Sequence, residues 1–67
     1  MSHNNEYLRA QLRNLLRDVD YQISFVTTKA RNNEVEPATV QSSDGSYVLV
    51  PLLLAKSNIL LGLSNLD

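Results

Sequence analysis

From Tyr47 to Leu63 the chain is apolar almost throughout, and this run must be covered within a polypeptide of only 67 residues. Residues 47–66 carry thirteen apolar side chains, broken by Pro51 and by the polar island Lys56-Ser57-Asn58. Pro51 suits the first turn of a helix, where a missing N–H leaves no bond unmade. The segment that follows, from Leu52 to Leu63, is poor in β-branched residues, which favours helix over the alternative of a strand at 59–63. A helix apolar on every side belongs in a protein interior. Its uninterrupted apolar length falls short of the ~20 residues of a membrane span, so protein is the expected cover and no membrane is implied. One small domain cannot surround such a helix. We therefore expect a homodimer or a higher closed oligomer, with Leu52, Leu53, Ile59, Leu60 and Leu63 at the contact.

Size leads to the same expectation. A chain this short buries only about 60% of the surface that its unfolded form exposes. Small folds usually add a staple. No cysteine is present and the sole histidine is His3, so a disulfide or a thiolate zinc site is excluded and no metal or cofactor is expected. Self-association is the staple that remains. The chain reads as one domain over 1–67, with 1–4 frayed. No basic-then-apolar leader opens it, and we expect a soluble cytoplasmic protein.

Leu8, Leu12, Leu15, Leu16 and Val19 fall on one helical face, and Asn4 or Asn5 can cap its start, so a helix is predicted at about 5–18. Asp18 and Asp20 make a poor helix end, because acids oppose the C-terminal dipole. From Tyr21 the apolar period shortens to two: Tyr21, Ile23 and Phe25 alternate with Gln22 and Ser24. This predicts a strand at about 21–29, followed by a turn at 30–33 and a second strand at about 34–42 with Pro37 at an edge or bulge. Asp44-Gly45 is the strongest turn signal and predicts a hairpin tip with Gly45 at positive φ and Ser42 facing Tyr47. The third strand ends at Pro51. The expected fold is α+β: an N-terminal amphipathic helix, a three-stranded antiparallel meander and a C-terminal apolar helix (α-β-β-β-α), assembled as an oligomer.

Charge is divided along the chain. Residues 1–31 hold five Lys or Arg against three acids, whereas 32–67 hold Lys56 against four, for a net charge of −1. Arg9, Arg13 and Arg17 are spaced i, i+4, i+8, with Lys29 and Arg31 as extensions. Three guanidinium groups in a row suit phosphates, so this stripe is the candidate ligand site for an anion, a nucleotide or a nucleic acid. Arginines beside an apolar seam are also ordinary solvent-side residues, or pair with a neighbouring subunit. Tyr21 and Phe25 could stack bases, but core packing is the stronger expectation. The pairs Asp18/Asp20 and Glu34/Glu36 read as solvated charges rather than as an acid–base couple. Neither a phosphate-binding glycine loop nor a nucleophile motif occurs. The chain therefore reads as a small non-enzymatic oligomeric interaction module, an adaptor or inhibitor that occupies a partner surface. The partners expected are itself and another protein, and the alternative is an anion binder using the arginine stripe.

Overall fold

Leu12, Leu16, Val19, Ile23, Val26 and Ala30 recur in alternating steps of four and three, and all six are buried or half-buried. That spacing keeps one seam turned toward a partner helix along its whole length. The computed structural model describes residues 3–66, with His3 and Asn4 described by backbone alone. The seam lies on α1, a 30-residue helix from His3 to Asn32. Its partner is α2, an 18-residue helix from Leu49 to Leu66. On α2 the matching seam is Leu52, Ala55, Ile59, Gly62 and Leu66, again in steps of three and four. The helices pair antiparallel. Arg9 lies by Leu66, Leu12 by Gly62 and Asp20 by Lys56. The result is a rod of 47 × 18 × 17 Å.

The α+β expectation is overturned: among the described residues there is no strand, and the chain is a helical hairpin with a short 3-10 turn at Pro37–Thr39. The helix predicted at 5–18 runs on through the segment read as a strand at 21–29. Two periodicities coexist there. Tyr21, Ile23 and Phe25 alternate, but Val19, Ile23, Val26 and Ala30 continue the seam begun at Leu12. Lengthening an existing helix adds a hydrogen bond for each residue fixed, whereas a strand needs a partner ribbon to form at the same time. The seam prevails, and Tyr21 and Phe25 stand exposed rather than in a core. Asp18 and Asp20 lie within the helix and do not end it. Asn4 and Asn5 likewise lie within the first turn of the helix, which already includes His3; of the residues expected to fray, His3 and Asn4 are helical, and Met1 and Ser2 lie outside those described.

α1 ends in a Schellman arrangement. The Val35 N–H donates to the Ala30 carbonyl at 3.0 Å and the Glu34 N–H to the Arg31 carbonyl at 3.2 Å, with Glu34 at φ 56°. The predicted second strand is replaced here by the Pro37 turn, in which Thr39 bonds the Glu36 carbonyl through both its N–H and its Oγ1. The tip at Asp44-Gly45 does form. Gly45 takes φ 88° and its N–H donates to the Ser42 carbonyl at 2.9 Å. Pairing is offset by one residue from expectation: Gln41, not Ser42, bridges Tyr47. The loop holds three residues, Ser43, Asp44 and the left-handed Gly45, and this extra residue shifts the register. The ribbon then stops, because Val48 leads into α2. A single bridged pair is all that survives of the meander.

α2 opens at Leu49, two residues before Pro51, whose missing N–H still falls among the unpaired donors of a first turn. The helix continues through Gly62 to Leu66, so 59–63 is helical.

Candidate interaction surface

A two-helix hairpin can bury one seam on each helix and nothing more. Among the described residues only Val19, Val26 and Ala30 are buried. The face of α2 turned away from α1 is formed by Val50, Leu53, Leu54, Ser57, Leu60, Leu61 and Ser64, which lie between the seam positions on the helical wheel. Its leucines are open to solvent: Leu54 and Leu61 are each 61% exposed, Leu53 47% and Leu60 46%. The only charge on α2, Lys56, sits beside the seam, where Nζ meets Asp20 Oδ1 at 2.8 Å. The outer face is therefore uncharged over about four turns, with Ser57 and Ser64 its only polar side chains.

The five residues expected at an oligomer contact divide between two sides of this helix. Leu53 and Leu60 belong to the outer face. Leu52, Ile59 and Leu63 are half-buried on or beside the seam toward α1. Val50, Leu54 and Leu61 complete the outer face and were not singled out from the sequence. A run of leucines on all sides gives no phase of its own; the phase comes from α1, whose seam fixes which side of α2 is covered.

The arginine stripe is spread along the rod. Arg9 is drawn inward and donates from Nη2 to the Leu66 carbonyl at 3.1 Å, capping the open carbonyl end of α2. Arg17 donates from Nη2 to Asn14 Oδ1 at 2.7 Å on its own helix, and Arg13 is exposed. Lys29 and Arg31 occupy the last turn of α1, where cations complement the helix dipole. Neither of the two grooves beside Tyr21 and Phe25 is lined by Arg9, Arg13 or Arg17.

Lys29 does border one concavity. A shallow groove of about 370 Å³ lies where α1, the ribbon and the start of α2 meet. Tyr21, Phe25, Val26, Val40, Val48 and Leu52 supply its apolar wall, with Gln22, Gln41 and Ser42 at the rim. No known protein family, curated protein or solved structure matches this chain. The surface itself must supply the functional reading.

Proposed function

We propose that this chain is a soluble, non-enzymatic interaction module that assembles with itself and presents its surface to another protein. α1 acts as a stiff scaffold and α2 as the displayed element. One observation carries this reading: the outer face of α2 holds five large apolar side chains in solvent, Val50, Leu53, Leu54, Leu60 and Leu61. Contiguous apolar patches of this kind mark association sites, because covering them releases ordered water at no cost in unpaired polar groups. Adaptor and inhibitor roles both follow from such a surface, since each consists in occupying a partner. The arginine stripe supports anion binding less well, because Arg9 and Arg17 already have acceptors within the hairpin.

A lipid bilayer could cover the same face. Among the described residues α2 is the one helix long and apolar enough to cross a membrane, judged by length and composition alone. Against this stand Lys56 at its middle, tied to Asp20, and the many charges of α1 running alongside. Sedimentation equilibrium at micromolar concentration tests the proposal. The expected result is a mass above the 7.5 kDa of one chain. A helical species that stays monomeric would overturn it, as would a chain that is recovered only with vesicles.

A further inference from the structure

The four leucines on the outer face of α2 are placed symmetrically about Ser57, while the outermost pair, Val50 and Ser64, differs in kind. About Ser57, Leu54 and Leu60 lie three residues away on either side, Leu53 and Leu61 four, and Val50 and Ser64 seven. We infer that this face packs against the same face of a second copy, antiparallel, with the two-fold axis passing at Ser57. The inference rests on the self-assembly proposed above and names its geometry.

Three features support it. A two-fold contact is isologous, so whatever residue i touches must be touched in return. In an antiparallel pair centred on Ser57, Leu53 meets Leu61 of the second copy, Leu54 meets Leu60, and every leucine finds a leucine. A parallel pair matches each residue with itself and requires no such symmetry of the leucines. Next, the central position of the face is the small Ser57, flanked by leucines on both sides, and it sits at the point of crossing, where two helix backbones come closest. Last, the pairing brings no like charges together: Lys56 is held by Asp20 of its own hairpin, and the remaining residues of α2 are uncharged. Antiparallel packing also sets each helix dipole against an opposed one and places the two connecting loops at opposite ends.

An 18-residue helix offers about 27 Å of length. One such crossing falls at the low end of specific interfaces, under about 1,200 Å² in total.

The chain has no cysteine, so one introduced thiol reports a single position. Ser57→Cys, Leu53→Cys and Leu61→Cys would each be oxidised with oxidised glutathione at micromolar concentration, with helicity checked by circular dichroism. Ser57→Cys alone should link into a covalent dimer, because the axis brings both thiols together. Leu53→Cys mixed with Leu61→Cys should link at least about tenfold more than either alone, since only the mixture places two thiols within disulfide reach. Efficient linking of Leu53→Cys with itself would show a parallel pair and overturn the inference. A dimer by sedimentation that none of the three variants can link would place the contact elsewhere, so the inference fails while self-assembly stands. A monomer at the same concentration removes both. Capture of the unlinked chain by phosphatidylcholine vesicles would assign the face to lipid and overturn it as well.

Discussion

Glu34 is the one described residue other than glycine held at positive φ, at 56°. The left-handed conformation costs an L-residue roughly 1–2 kcal/mol, because Cβ crowds the following carbonyl. It is imposed here by the two hydrogen bonds that close the end of α1. Glycine is the usual residue at that position. Glu34→Gly removes the crowding but loosens the unfolded chain, so the net gain should be about 0.5–1 kcal/mol, read as a raised midpoint in urea. A lower midpoint would show that the Glu34 side chain contributes something the backbone account omits. Asp44 illustrates a different local device. Its carboxylate accepts from the Ser42 hydroxyl and, at 2.9 Å, from the Ser46 N–H. Those bonds favour the charged form and hold its pKa at about 2, below the ordinary 3.8. A pKa depressed by folding means the turn is fully supported above about pH 4 and loses that support as pH falls through about 2. The Ser46 amide resonance should titrate with a midpoint near 2, and the inflection should vanish in Asp44→Asn. A midpoint near 4 would mean that the Asx turn does not persist in solution.

At the scale of elements, the chain's punctuation was easier to read than its periods. The Asp44-Gly45 tip was legible because only a few dipeptides accept left-handed backbone, and the helix after Pro51 because leucines without β-branching have one dominant preference. The strand expected at 21–29 gives way to helix: Tyr21, Ile23 and Phe25 imitate a half-buried strand, while the decisive pattern, Val19 to Ala30, joins the helix before it and shows only when the two segments are taken together. The phase of α2 was illegible for the opposite reason: too many apolar positions fit. Gly62 is the clue to that phase, since it meets Leu12 across the seam. A Cβ there would lie 3.3 Å from Leu12 Cδ1. That atom is the free end of a flexible side chain and can give way by a few tenths of an ångström. Alanine gains about 1 kcal/mol over glycine inside a helix. Gly62→Ala should therefore stabilise the hairpin by roughly 0.5 kcal/mol, after the loss in packing, whereas Gly62→Leu should force the helices apart at a cost of about 1–3 kcal/mol. Loss of stability in Gly62→Ala would show that Leu12 is pinned and that the seam is packed more tightly than its exposure implies. The candidate ligand residues divide by the same logic: spacing alone placed Arg9 in a stripe, but the antiparallel partner turns it toward the Leu66 carbonyl.

For the whole molecule, the question is how a rod with only three buried side chains among its described residues stays folded. A single seam between two helices encloses little, and a chain of 67 residues lies in the range where a lone core leaves only a few kcal/mol. The self-association proposed above would answer this through mass action, since whatever binds the folded chain alone draws the equilibrium toward it. If folding and dimerisation are coupled, a hundredfold rise in concentration contributes about 2.7 kcal/mol per dimer. At roughly 2 cal/mol/K per residue over two chains, the melting temperature should rise by about 10 °C. Leu54→Glu should reduce that dependence, because two carboxylates would be brought into the shared face with no cation to meet them; Lys56 is already committed to Asp20. The same substitution touches nothing in the seam, so any helix that remains should melt at one temperature whatever the dilution. Melting curves of the wild type and Leu54→Glu, recorded by circular dichroism over that concentration range, check both statements. A wild-type melting temperature that ignores concentration would mean that the hairpin is sufficient alone, and the leucines of α2 would then need a different explanation from assembly.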